Sequence, residues 1–495
     1  MEKSIIIIGG GLTGLAAGCY GRMNGYKTSI FEMHEIAGGV CTGWKRKGYT
    51  IDGAMNWLVG TKPGTRFYRF WEELGATQDW EIYNHNHYSV TEDTEGKAFT
   101  IYCDADRFEQ YLLDIAPEDK EVIQEFIQAI RTFSDFEMPV EKPAELLDSS
   151  DMKKMGELLP FLQLLQKWGT VSGTDFAGRF KNPNLKLLPM AFGGSMLWGL
   201  MSLGWQHQKN AGYPIGGALA FVKSIENCYR KLGGDIYFKS RVEKILVEND
   251  KAVGVKLADG TEYRADWVVS AADGHTTIFD MLGGKYIDDK INGMYDNPNL
   301  FSPLVYVGLG INRTFDDVPS SINGLSFPLE KPIIIAGKEQ KIMNLLVYNF
   351  DSTLSPKGKN VARVAYTTDY DYWQKLTQEP ERYKAEKERI ADDIIDRLDK
   401  RFPGLAKQVE MRDIATPTTW VRYTGNWRGS YEGWMFSEES FTSSMRKTLP
   451  GLDNFYMAGQ WVNPGGGMPT AAMSGNHTIQ LICHQDKRGF VTTKP

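Results

Sequence analysis

Apolar positions recur along the chain with two different periods, and the first elements follow from them. "SIIII" (4–8) is an unbroken β-branched run, the pattern of a strand buried on both faces of a parallel sheet. "LTGLAAGCYGRMNG" follows, which predicts a small-residue helix stopped by Gly25. "KTSIFE" reads as a second strand, giving a strand–helix–strand unit. Residues 118–136 carry Val122, Phe126, Ile127 and Ile130 at helical spacing. Residues 216–234 do the same with Leu219, Val222, Ile225, Tyr229 and Leu232, and Gly233 supplies the cap. Residues 379–402 predict a charged helix with Tyr383, Ile390, Ile394 and Leu398 on its buried side. "VEKILVE", "AVGVKLA" and "WVVSAA" read as three short strands joined by the hairpin signals "NDK" and "DG".

Residues 187–208 carry no charge. Their glycines, proline and glutamines argue against a membrane span, although the length would allow one. The stretch reads as buried core, a pocket wall or a membrane-facing patch, with Trp198, Met201 and Trp205 as lining candidates.

Composition narrows the class. The chain has 495 residues, 42% hydrophobic and 24% charged, enough for two to four domains or one large composite. A net charge of −6 gives no basic footprint, so nucleic acid is not an expected partner. "MEKSIIIIGGG" is not a secretory signal, because its apolar run is short and glycines follow at once. Five scattered cysteines without CxxC fit free thiols in a reducing compartment, and a cytoplasmic location is expected. His85 and His87 read as an exposed loop pair, and no metal is expected. The 13 Trp, 23 Tyr and 24 Phe leave room for an apolar ligand pocket.

Gly9, Gly11 and Gly14 fit G-x-G-x-x-G between a strand and a helix. The first allows a tight turn, the second lets backbone approach a pyrophosphate, and the third lets the helix pack close. The helix start at Leu12 and Thr13 offers free N–H groups and a positive dipole end to phosphates. Glu32 ends the next strand, where a carboxylate accepts ribose hydroxyls and repels a 2′-phosphate. A bound dinucleotide is therefore expected.

A glycine pair, Gly38 and Gly39, follows soon after Glu32 and is not needed for NAD. It resembles the second glycine motif of the two-dinucleotide-binding-domain flavoproteins, and "GYTIDGAMN" matches that family's next segment. Residues 213–273 resemble the middle segment of the FAD-dependent carotenoid desaturase, carotenoid isomerase and retinol saturase group, related to phytoene dehydrogenases. "LDNFYMAGQWVNPGGGMPTAAMSG" resembles its closing flavin motif, and "ATPTTWVRYTGNWRGSYEGW" (415–434) is similar to a segment of the isomerase and saturase branch.

The resemblance implies an α/β fold. A Rossmann-like FAD-binding domain of the glutathione reductase-like type would be built from 1–75, 209–275 and 446–487. An interleaved α+β substrate domain would take 76–208 and 276–445, leaving 488–495 as a tail. It implies non-covalent FAD. The cofactor contacts carried over are Gly38, Gly39, Val40, Val242, Gly459, Gln460, Gly467 and Met468. Pro469 would start a helix whose positive end faces the flavin and stabilises its reduced form. Two departures stand out. Val40 replaces the arginine common after the glycine pair, leaving Lys45 or Arg46 open as a substitute phosphate contact. Asn56 replaces a histidine near the flavin and is the one candidate for a catalytic role; it donates hydrogen bonds but does not titrate as histidine does.

The implied activity is an FAD-dependent oxidoreductase that desaturates, saturates or isomerises a carbon–carbon bond of a long apolar substrate such as a carotenoid, retinoid or other lipid. Hydride transfer at flavin N5 would carry the chemistry. The electron partner is open among NAD(P)H, quinone and oxygen, and contact with a membrane surface is expected. An amine oxidase-type flavoenzyme and a non-enzymatic lipid escort protein are the alternatives on this fold.

Overall fold

The computed structural model describes residues 2–137, 140–154, 156, 159–192, 195–435 and 446–494. At its centre is a five-stranded parallel sheet assembled from distant pieces of chain. Strands β1 (Ser4–Ile8), β2 (Lys27–Phe31), β3 (Asp235–Tyr237), β4 (Trp267–Ser270) and β5 (Phe455–Met457) lie in the order β5-β4-β1-β2-β3. The apolar run of β1 takes the middle position, and Ile5 to Ile8 are all buried. Helix α1 (Leu12–Met23) and helix α2 (Met468–Gln485) pack against each other beside this sheet. Their approach is close because Gly475 of α2 lies over the backbone of Thr13 and Ala17.

A second, mixed sheet of seven strands is mostly antiparallel. Its order is Val409–Ala415, Leu304–Ile311, Asn360–Thr367, Lys338–Val347, Leu325–Ile335, His87–Glu92 and Ala98–Tyr102. One core lies between this sheet and the 22-residue helix Pro380–Arg401, whose Ile390, Ile394 and Leu398 are buried as expected. A further core joins Lys120–Ser134 to Met196–His207. The helix Gly217–Lys231 matches the 216–234 prediction and ends before Gly233 at φ +81°.

Two expectations change, that for "WVVS" and that for the histidine pair. "WVVS" is not the third strand of a hairpin set; as β4 it pairs in parallel with β1 and β5. The third antiparallel partner is Glu262–Arg264, reached through the "DG" turn, whereas "NDK" does join Val242–Glu248 to Lys251–Leu257. A short apolar run carries no information about which neighbour it will find. The 187–208 stretch, part of which lies outside the described residues, falls in the 3₁₀ helix Leu185–Phe192 and the helix Met196–His207. No helix among the described residues is long and apolar enough to cross a membrane. The histidine pair is not an exposed loop: His85 is buried between the Tyr83 and Phe350 rings. Burial pushes the His85 pKa down to about 3, and its Nδ1 meets Ser320 Oγ at 2.9 Å. No metal-binding group forms among the described residues.

Candidate dinucleotide and active site

The glycines after β1 turn the chain from strand into helix. Gly9 adopts φ +97°, and its N–H donates to Phe31 O at 2.9 Å, tying the turn to β2. A Cβ on Gly14 would collide with the Gly9 carbonyl, so the third glycine sets the helix–strand distance. Glu32 directly follows β2 and bends back under this turn. Its carboxylate accepts from Gly10 N at 2.6 Å and from His34 N at 2.7 Å. Burial raises the Glu32 pKa, and these N–H groups oppose the rise.

The second glycine motif closes onto the first. Gly38 N donates to Gly10 O at 2.9 Å, and Gly11 and Gly38 form an isolated parallel bridge. Gly39, at φ +60°, lies over the Gly11 backbone, with half-buried Val40 next to it. Past this point, Cys41 Sγ lies 3.4 Å from Met468 Sδ, so the motif also reaches the C-terminal loop. That loop returns to α1, because a Cβ on Gly459 would stand 3.0 Å from Thr13 Oγ1. Leu12 and Thr13 are buried between the two.

Both helix starts are bare. Gly11 caps α1 and Gly467 caps α2, neither with a side-chain hydrogen bond. A Cβ on either glycine would find no atom closer than 3.8 Å. The unsatisfied N–H groups and positive dipole ends of both helices therefore face open space. A glycine-lined cleft with a buried carboxylate at one end and helix N-termini along it fits a dinucleotide with a flavin at its far end. Pro469 sits in the first turn of α2, as expected.

The hairpin Gly43–Arg46 and Tyr49–Asp52 carries the chain from these glycines to the second sheet. Buried Asp52 accepts from the backbone N–H of Ala54, Met55 and Ala218 at 2.8–2.9 Å. Burial raises its pKa, while those bonds and the Arg363 charge hold it down. Arg363, on the strand Asn360–Thr367, donates to Asn56 Oδ1 at 2.7 Å, to the Tyr306 hydroxyl at 3.0 Å and to the Tyr348 hydroxyl at 3.3 Å. Burial works against its charge, but the two phenols and Asp52 more than compensate and raise the guanidinium pKa. The pair Arg363–Asn56 keeps some accessible surface despite its depth, as groups on the wall of an internal space do.

Gly9, Gly11, Leu12, Thr13, Gly14, Glu32, Gly38, Gly39, Val40, Gly459, Gly467 and Met468 thus come together around the two glycine turns and the starts of α1 and α2. Asn56 lies on the Arg363 side, at the sheet. Gln460 turns its amide to Asn426 Oδ1 at 3.1 Å. Val242 is buried at the start of its strand, in a core with Ile6, Ile8 and Phe31. Of the two open phosphate contacts, Arg46 pairs with Asp413 at 2.7 Å, and Lys45 is exposed. His477 is committed to Val140 O at 2.7 Å, and burial lowers its pKa to about 4. Sequence reasoning missed Arg363, for which a lone cation in the apolar strand "NVARVAYT" was a usable signal.

Trp57, next to Asn56, starts an aromatic series. Its ring lies 5.9 Å from Trp205 and 6.1 Å from Trp198, and Trp198 is 46% exposed. Two of the three lining candidates therefore pack around Trp57, and Met201 is partly buried in the same helix.

Residues 12–483 match the model of the flavin containing amine oxidoreductases. The prolycopene isomerase of Daucus carota is 26% identical over 501 residues, covering 96% of this chain and 79% of its own. The neurosporene-forming phytoene desaturase of Rhodobacter capsulatus is 26% identical over 506 residues, covering 96% and 93%. A solved structure of an oxidoreductase from Methanosarcina mazei shares the fold, with a TM-score of 0.60 at 16% identity over 96% of this chain and 100% of that one.

Proposed function

The chain belongs to the flavin containing amine oxidoreductase family, and from that premise we propose that it acts on carbon–carbon bonds of a carotenoid or similar polyene. It is an FAD-dependent oxidoreductase. The observation that carries the substrate reading is the end-to-end similarity to a prolycopene isomerase and a phytoene desaturase. An amine oxidase reading of the same fold is not better supported. The neighbouring rings of Trp198, Trp205 and Trp57 favour a long apolar guest, because flat aromatic walls accept polyenes without polar demands.

When bound, FAD supplies two-electron redox chemistry that no side chain can. In this reading the glycines of both motifs would hold its pyrophosphate, and Glu32 would take the ribose hydroxyls. The uncapped start of α2 favours added negative charge at the flavin end. Arg363 and Asn56 form a fixed polar floor at the sheet. The two-sheet architecture favours the division into 1–75, 209–275 and 446–487 for FAD, with 76–208 and 276–445 for substrate. Exposed Leu147, Leu159, Leu162 and Trp198 favour loading from a membrane surface.

The test is incubation of FAD-loaded protein with phytoene, with a poly-cis lycopene and with an all-trans polyene, each in vesicles, followed by chromatography of the products. Loss of hydrogen, gain of hydrogen or change of geometry is the expected outcome in one arm. No change in any arm, with reduced and oxidised flavin both tried, overturns the substrate reading. Reduction by NAD(P)H against reoxidation by quinone or oxygen identifies the electron partner.

A further inference from the structure

Glu432 lies where the 430–434 turn is clamped onto the C-terminal glycine loop. Gly465 N donates to Trp434 O at 3.0 Å, and Trp434 Nε1 donates to Trp461 O at 3.1 Å. Within that clamp Gly466, at φ +60°, faces Glu432 directly: a Cβ there would run into the Glu432 side chain. The glutamate is thus one residue from Gly467, the bare start of α2. It stands deep among protein atoms yet keeps accessible surface, so it lines an internal space rather than solid core.

Its carboxyl has no hydrogen-bond or ionic partner among the described residues. The surrounding segments explain why. The loop 459–467 and the segment 298–303 carry no ionisable side chain. Arg428 is closed on Asp371 at 2.6 Å. Among the described residues the titratable neighbour is the Tyr431 phenol, which is itself raised by burial and by Glu432. A buried carboxyl without partners is costly and is not retained for packing. Desolvation alone lifts its pKa to about 7, where it can both give and take a proton.

We infer that Glu432 is the acid–base group of the flavin site, exchanging a proton with the substrate carbon during the reaction. The inference rests on the carbon–carbon reading above and adds the protein's own chemical part to it. Oxidising an H–C–C–H unit removes two hydrogens and one electron pair. One hydrogen leaves with the electron pair to the flavin acceptor, and the other leaves as a proton to the Glu432 carboxylate while the C=C bond forms. Saturation runs the same exchange backwards.

The experiment is a pH titration of the absorbance of bound flavin in substrate-free holoprotein, for the native chain and for Glu432→Gln. The native protein is expected to show a transition with a midpoint near 7, and Glu432→Gln to lack it. With substrate, kcat falls about 10²–10⁴-fold with KM little changed, and the limb of the pH profile near neutrality disappears. A native transition that survives in Glu432→Gln, or no native transition, overturns the inference. If Glu432→Gln does not retain flavin, Glu432→Asp must move the midpoint, and an unmoved midpoint overturns it equally. The titration needs no substrate. A clean Glu432 transition with no polyene converted overturns the substrate reading and leaves the proton site standing.

Discussion

The Arg363 guanidinium holds the Asn56 carboxamide oxygen at 2.7 Å, joining the hairpin that leaves the second glycine motif to the middle of the seven-stranded sheet. Two separately built layers are registered against each other at this contact. Its energetics are those of a buried charge that stays tolerable because Asp52, Tyr306 and Tyr348 surround it.

Replacing Arg363 by Met leaves Asp52 without its nearby cation and two phenols without their donor. Stability in urea should fall by about 3–5 kcal/mol. Asn56→Ala should cost about 1–3 kcal/mol. The double variant should couple by about 0.5–3 kcal/mol, and additive losses would mean the contact joins nothing.

Glu32→Ala should release FAD. Two hydrogen bonds from backbone N–H groups preorganise the carboxylate, and charge-assisted bonds contribute about 1.5–3 kcal/mol each. Retention should drop by at least tenfold, read as the ratio of flavin to protein absorbance after gel filtration. An undiminished ratio removes Glu32 from the site.

Gly467→Val puts a branched side chain at φ +86° into open space before α2. The backbone strain costs about 1–3 kcal/mol. The fold has room for the side chain, and the flavin does not. Circular dichroism should stay close to native while flavin binding is lost; retained flavin and activity would put the cofactor elsewhere.

The pH dependence of stability has two opposite limbs. The folded pKa of His477 is depressed to about 4, so its contribution is present above the unfolded value near 6.5 and is lost as pH falls through 4. The folded pKa of Glu432 is raised to about 7, so its contribution is present below about 4.5 and is lost as pH rises through 7. His477→Gln should flatten the acid limb of a Tm–pH curve, and Glu432→Gln the neutral one. A curve whose limbs respond to neither change assigns them to other groups.

The cofactor half of this fold was legible because its demands are local. A strand, a glycine turn and a helix must adjoin in sequence to make a phosphate cradle, and Glu32 must end the next strand. β4 was misread as part of a hairpin, since its partners β1 and β5 lie far away in sequence and a buried strand looks the same beside any neighbour. His85 was misread because an imidazole between two rings needs no polar signal nearby. Arg363 and Glu432 acquire their roles only when the second sheet and the 430–434 turn fold over the glycines. Their chemistry is a property of burial, which a linear pattern does not carry.

The crossing of α2 over α1, with Gly475 against the Thr13 backbone, has a consequence for biosynthesis. The first glycine turn is made early on the ribosome, but its opposite wall does not exist until Gly459 to Gly475 have been translated and have left the exit tunnel. Cofactor capture must therefore wait until this last part of the fold has formed. A chain stalled or truncated before that helix would leave the first glycine turn and Glu32 without their opposite wall, making completion of the C-terminal helix a checkpoint on the newly made protein.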